Sequence, residues 1–289
     1  MKDQAEKLRL KLQNHTQELA RTIAIVSGKG GVGKTNISTN LALTLADKGK
    51  RVLLFDFDIG MGNVNILLGT TSNSNISAFL QDDVPLKSII QHTANGISYI
   101  SAGNGLNEVM EMDNRMYNRL LDGLSELQAE YDFIIFDMAA GATTTALNIL
   151  LSADDIFVVC TPEPTAITDA YSMMKFICSA QSESRFLLIC NRAESKRQGK
   201  ETLERLQSAA QKFLKKEVTL LGVLPEDKHV RKAVISQTAF SEKFPNADIS
   251  LKLKKMVDIY MEDDYSDRFN HRSFVSKLRN IFTNKEGRL

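Results

Sequence analysis

Seven short apolar runs punctuate the chain: TIAIVS (22–27), RVLLFDFD (51–58), GISYIS (96–101), YDFIIFDM (131–138), DIFVVCT (155–161), RFLLICN (185–191) and VTLLGVL (218–224). Several are continuous in Val, Ile, Leu and Phe, without polar alternation, which is the pattern of parallel strands covered on both faces. The intervals between them have room for helices. TNISTNLALTLADKG (35–49) reads as one, with Gly49 as its C-terminal stop. Strand–helix alternation of this kind predicts an α/β fold, a doubly wound and mostly parallel sheet spanning about 20–260. Neither an internal repeat nor a low-complexity segment interrupts it.

Two flanks fall outside that pattern. Residues 1–20 are charged and Gln-rich, with Ala5, Leu8 and Leu12 at helical spacing. At the other end EDDYSDRFN (262–270) reads as an acidic linker leading to a second short helix, SFVSKLRNIF (273–282). In it Phe274, Val275, Leu278, Ile281 and Phe282 stand at i, i+1, i+4, i+7 and i+8 and make one apolar face. Arg272, Lys277, Arg279 and Lys285 add positive charge on or near the opposite face, an arrangement suited to anionic lipid. A helix docked on the domain's own core would carry the same stripe. The expected organisation is an N-terminal segment (1–20), a domain (21–261), a linker (262–271) and an amphipathic helix (272–289).

Composition narrows the class. A chain of 289 residues that is 43% hydrophobic can bury a sizeable core. Thirty-six basic against thirty-five acidic residues exclude a globally basic nucleic-acid binder, while leaving a local patch open. Cys160, Cys178 and Cys190 are odd in number and widely spaced, which argues against a disulfide framework and against a zinc site. The first residues are polar, unlike a secretory signal, and no apolar run approaches the roughly 18 residues of a membrane span. The expectation is a soluble intracellular protein.

The chemistry starts after the first strand. Gly28-Lys29-Gly30-Gly31-Val32-Gly33-Lys34-Thr35 opens directly into a helix at Asn36 and satisfies the phosphate-loop pattern G-x-x-x-x-G-K-[ST] in a strand–loop–helix context. The glycines let backbone N–H groups converge on phosphates, and the helix N-terminus adds positive potential. Lys34 would pair with the β/γ-phosphates and the Thr35 hydroxyl would ligate Mg²⁺. At FIIFDMAAG (133–141) an apolar strand runs into Asp137, which should hold Mg²⁺ through water. A Ras-type GTPase reads guanine with N-K-x-D, but the matching strand end here is Cys190-Asn191-Arg192-Ala193-Glu194, with no Asp at that position. The guanine-reading pattern is therefore missing.

The second lysine, Lys29, has no local role that Lys34 does not fill. KGGVGKT resembles the deviant phosphate loop of the MinD/ParA family, which implies a MinD/SIMIBI-like P-loop NTPase fold, and the resemblance covers nearly all of 20–240. The resemblance implies that Lys29 reaches across a homodimer interface to the partner's nucleotide, in the manner of an arginine finger. Asp56-Phe57-Asp58-Ile59-Gly60 resembles the family's first switch, which implies that Asp58 activates the attacking water and Asp56 stands near the metal. Asn191 is similar to the family's adenine-side asparagine, and Pro225-Glu226-Asp227 to its adenine-pocket loop, so that with the guanine-reading aspartate missing the resemblance favours ATP. Met138-Ala139 departs from the Ser/Thr-Pro or Thr-Gly usual after the metal aspartate.

The tails carry a finer resemblance. Asp3-Gln4-Ala5-Glu6-Lys7-Leu8-Arg9 is similar to the D-Q-A-x-x-L-R activator motif of the FlhG family (YlxH, FleN), flagellar number regulators. It implies that Asp3, Gln4, Ala5, Leu8 and Arg9 engage and stimulate the signal-recognition-type GTPase FlhF. FliM and FliN/FliY of the flagellar C-ring are further implied partners. The implied activity is slow, dimer-dependent ATP hydrolysis, with reversible attachment to the inner face of the cell membrane through the C-terminal helix and no specific nucleic acid. A MinD division-site ATPase would keep the ATPase and the membrane helix without the GTPase stimulation. A ParA-type partitioner would bind DNA non-specifically.

Overall fold

In the computed structural model, residues 19–58, 62–70, 75–81, 84–101, 114–139, 144–262 and 273–286 are described. Asp3, Gln4, Ala5, Leu8 and Arg9 lie outside these residues, as does the predicted linker but for its first residue. The described residues include eight strands: β1 (Arg21–Val26), β2 (Val52–Phe57), β3 (Gln91–His92), β4 (Ser98–Ile100), β5 (Phe133–Met138), β6 (Asp155–Cys160), β7 (Arg185–Ala193) and β8 (Val218–Pro225). They form one sheet in the order β3-β4-β2-β5-β1-β6-β7-β8. Every pairing is parallel except β3 with β4. The doubly wound, mostly parallel α/β architecture expected from the apolar runs is the one observed.

Both faces of the sheet are covered, which is why its strands are apolar throughout. Ile23, Ile25, Leu54 and Ile135 point to the face packed by α1 (Lys34–Asp47), α8 (Lys228–Ile235), α9 (Phe240–Lys243) and α10 (Asp248–Glu262). Their neighbours Ala24, Phe55, Ile134 and Phe136 point to the opposite face. That second core is closed by α4 (Asn114–Glu130), α5 (Thr144–Ser152), α6 (Pro164–Ser179) and α7 (Lys196–Ala209). Two short helices, α2 (Val64–Leu67) and α3 (Ile76–Gln81), fill the path between β2 and β3. Helix α1 stops at Gly49, whose φ of 78° is left-handed and whose N–H bonds the Ala46 carbonyl at 2.8 Å. All three cysteines are free thiols.

The C-terminal helix α11 (Phe274–Glu286) is packed on the second core. Phe274, Val275 and Leu278, read from sequence as membrane-facing, are 1%, 6% and 1% exposed. The Phe274 ring stacks on Phe136 of β5 with centroids 5.3 Å apart. The Tyr117 hydroxyl of α4 donates to the Leu278 carbonyl at 2.9 Å, and Lys277 Nζ bonds Asp154 at 3.1 Å. Ile281 is half-buried, and the side chain of Phe282 lies outside the described residues. An apolar stripe with flanking cations suits lipid, but it suits equally the surface offered here by α4, α5 and the face of β5 that carries Phe136.

Candidate functional site

The loop Gly28–Lys34 leaves the C-terminal end of β1, a central strand flanked by β5 and β6. Ligands of open α/β sheets bind at the carboxyl ends of strands where the winding reverses. Two glycines have a physical reason to be there. A Cβ on Gly28 would sit 2.0 Å from the Asp169 carbonyl carbon, so the loop begins pressed against the α6 backbone. Gly33 has φ 99°, and a Cβ there would meet Asn191 Nδ2 at 2.4 Å. Among the described residues no side chain caps the α1 N-terminus that follows Gly33. Its free N–H groups and the helix dipole form a cradle for an anion.

Lys34 is buried there. Burial lowers its pKa, opposed by the negative charges of Asp137 and Asp58. Those three groups are therefore brought to one place from α1, β5 and the end of β2. Asp137 accepts from Ser38 Oγ at 2.9 Å and is also bonded by the Thr35 hydroxyl. Burial pushes its carboxyl up to about 6, against the lowering effect of those hydroxyls and of Lys34. Asp56 is the register partner of Asp137 on the adjacent strand. Burial, and then the charge of Asp137, push Asp56 up to about 7, while it accepts from the main-chain N–H of Asp58 at 3.1 Å and of Val64 at 3.4 Å. Two carboxyls and a hydroxyl beside an anion cradle are a donor set that fits Mg²⁺, which takes one or two carboxylates and completes its shell with phosphate and water. No cluster of three or more His, Cys, Asp or Glu able to hold a metal by itself occurs among the described residues.

Beside the loop lies a cavity of about 440 Å³, in the range of small-molecule sites. Asn36, Asn191, Arg192, Pro225 and Glu226 line one side, and α8 with Phe240 and Ile249 lines the other. Asn191 Nδ2 donates to the Val32 carbonyl at 2.8 Å, so this side chain braces the phosphate loop with its amine. Its other polar atom, Oδ1, is an acceptor. Arg192 has a left-handed φ of 57°, and its Nε stands 3.9 Å from Glu226. Asp227 caps α8, accepting from His229 N at 2.9 Å.

Lys29 is tied down within its own chain. Its Nζ lies 2.6 Å from Glu163 Oε2 and 3.2 Å from Thr165 Oγ1, at the start of α6. Sequence reasoning missed Ser38, Glu163 and Thr165. Ser38 was recoverable, because it sits one helical turn beyond Lys34 and so on the same face. Glu163 and Thr165 carry no local signal, since their role depends on where β6 ends relative to the loop.

Residues 20–189, more than half of the chain, match the profile of a family described as an AAA domain. The antiactivator FleN of Pseudomonas aeruginosa is 34% identical over 234 residues, covering 81% of this chain and 84% of FleN. The flagellum site-determining protein YlxH of Helicobacter pylori is 33% identical over 227 residues, covering 78% of this chain and 76% of YlxH. The chain belongs to the FleN/YlxH (FlhG) family of MinD/ParA-type ATPases. The septum site-determining protein MinD of Pyrococcus horikoshii, solved as a complex with Mg-ADP, superimposes with a TM-score of 0.71 at 26% identity. That superposition covers 86% of this FlhG-family chain and 98% of the MinD structure.

Proposed function

We propose that this protein is an ATP-driven switch that controls the number and placement of flagella, using ATP/ADP and Mg²⁺. The observation that carries the reading is the convergence of Lys34, Asp58 and Asp137 behind the Gly28–Thr35 loop, in a chain related to FleN and YlxH. The main-chain N–H groups of Gly30, Gly31, Val32 and Gly33 bind phosphate oxygens, and Lys34 neutralises the β/γ-phosphates. Thr35 and Asp137 hold Mg²⁺, with Asp56 beside them; the ion supplies charge neutralisation at the phosphates. Asp58 orients and deprotonates the attacking water. Asn191, whose amide nitrogen donates to the Val32 carbonyl, offers its Oδ1 as an acceptor to the base. An acceptor suits the exocyclic amine of adenine and repels the carbonyl oxygen of guanine.

ATP-loaded protomers form a homodimer in which Lys29 reaches the partner's phosphates. Dimerisation releases the C-terminal helix, and Phe274, Val275, Leu278, Ile281 and Phe282 enter anionic membrane. One short helix binds weakly and two bind with avidity, which gives ATP control of attachment. Slow hydrolysis returns the protein to the cytoplasm. Residues 1–20, through Asp3, Gln4, Ala5, Leu8 and Arg9, stimulate an FlhF-type GTPase, and FliM and FliN/FliY are the further flagellar partners. GTP hydrolysis by FlhF, with and without a peptide of residues 1–20 and its Gln4→Ala variant, tests this output. Stimulation lost in the variant supports it; no stimulation by peptide or full chain refutes it. The likeness to MinD favours a division-site ATPase as the second reading, which predicts membrane switching with no effect on FlhF.

A further inference from the structure

We propose that Glu163 and Thr165 form an autoinhibitory clasp on Lys29, which must open before two copies of this chain can join over nucleotide. The inference rests on the dimerising reading above and deepens it. In the protomer the Lys29 ammonium spends two of its three donors within its own chain, on Glu163 Oε2 at 2.6 Å and Thr165 Oγ1 at 3.2 Å. A lysine so engaged points along its own surface and cannot also reach the phosphates of a second copy. The clasp is built into rigid parts. Glu163 is the N-cap residue of α6, Pro164 follows it as the first helical residue, and Gly28 packs directly on the α6 backbone at Asp169. The two halves of the clasp thus sit on surfaces that do not shift relative to one another, and only side chains move when it opens.

The clasp is placed to respond to a second copy. Lys29 and Glu163 side chains are 34% and 60% exposed, so an incoming protomer meets both. Lys29 holds the Glu163 carboxyl below the usual carboxylate range, and Arg192, which lines the nucleotide cavity, adds to the effect. Signs alternate from the phosphate loop to the cavity rim: Lys29, Glu163, Arg192, Glu226. Exposed ion pairs are individually weak, worth roughly a 1.4- to fivefold factor each. Two clasps open per dimer, so their removal raises the dimerisation constant by roughly two- to twenty-five-fold.

Sedimentation equilibrium of the full chain, over a titration of the non-hydrolysable ATP analogue AMPPNP with Mg²⁺, tests the clasp in wild type and in Glu163→Gln. The expected result is dimerisation of Glu163→Gln at lower analogue concentration. An unchanged or raised requirement overturns the clasp, since Glu163 would then be neutral or needed in the dimer. A wild type that binds AMPPNP but stays monomeric would instead defeat the dimerising reading. In that case the clasp is judged separately, by the rate at which acetic anhydride acylates Lys29 in the nucleotide-free protein. Glu163→Gln should raise that rate several-fold while other lysines keep theirs; an unchanged Lys29 rate overturns the proposal.

Discussion

Replacing Phe274 by Ala should free the C-terminal helix without unfolding the domain that carries the nucleotide site. Phe274 is 1% exposed and stacked on Phe136, so its truncation removes about 3–5 kcal/mol of buried contact. What remains includes Val275, Leu278, the Tyr117–Leu278 hydrogen bond and the Lys277–Asp154 and Arg279–Asp122 pairs. At about 1.4 kcal/mol per factor of ten, the docking equilibrium weakens on the order of a hundred- to a few-thousand-fold. The helix follows the last strand and lies outside the sheet order, so the cost falls on docking. Hydrogen–deuterium exchange of the full chain reads it directly. Amides of 277–286 should exchange faster by that factor, up to the rate of an open chain, while β1 and β6 amides stay protected. Protection of α11 within about threefold of wild type would refute the argument that this face holds it. Equal loss across the sheet would refute the separability of helix and domain.

Three further outcomes follow from the site. Asp58→Ala should slow single-turnover ATP hydrolysis by about 10²–10⁴-fold while leaving ATP affinity within a few-fold; an unchanged rate removes the water-activating role. Gly33→Ala forces an alanine to φ 99° and drives its Cβ against Asn191, so ATP binding measured by calorimetry should be lost, and retention of wild-type affinity contradicts the cradle. The third concerns pH. Asp56 and Asp137 titrate in the fold near 7 and 6, above the ordinary carboxylate range near 4. Their burial is tolerated fully below about pH 4, where both states are protonated. As pH rises the unfolded chain ionises first, so stability of the nucleotide-free protein declines from about pH 4 through 7, by on the order of a few kcal/mol. Urea unfolding at pH 5 and 7.5 should show the loss, and Asp137→Asn should flatten it.

How much of this was legible beforehand depended on how local each feature is. The seven apolar runs correspond to seven strands because burial on both faces writes itself into consecutive residues. The eighth strand, Gln91–His92, is two polar residues paired antiparallel to β4 at the sheet edge, with no periodicity to read. The phosphate loop was legible because its geometry demands glycine at fixed offsets, and Asp137 because it ends an apolar strand. Asn191 was found as a base-side residue, but its bond to the Val32 carbonyl joins residues 159 apart and appears only in the fold. Phe274, Val275 and Leu278 show the limit from the other side. Their stripe was plain, yet whether it meets lipid or the ring of Phe136 depends on tertiary surroundings that amphipathicity does not encode.

A nucleotide switch of this kind must move α11 from its seat on the core to a membrane. Flotation of the full chain with phosphatidylglycerol-rich vesicles, in Mg²⁺ with AMPPNP or with ADP, measures this directly. The predicted result is flotation with AMPPNP and little with ADP, weakened by high salt and lost in the Leu278→Glu variant. Equal flotation in the two nucleotide states, or none in either, would contradict it.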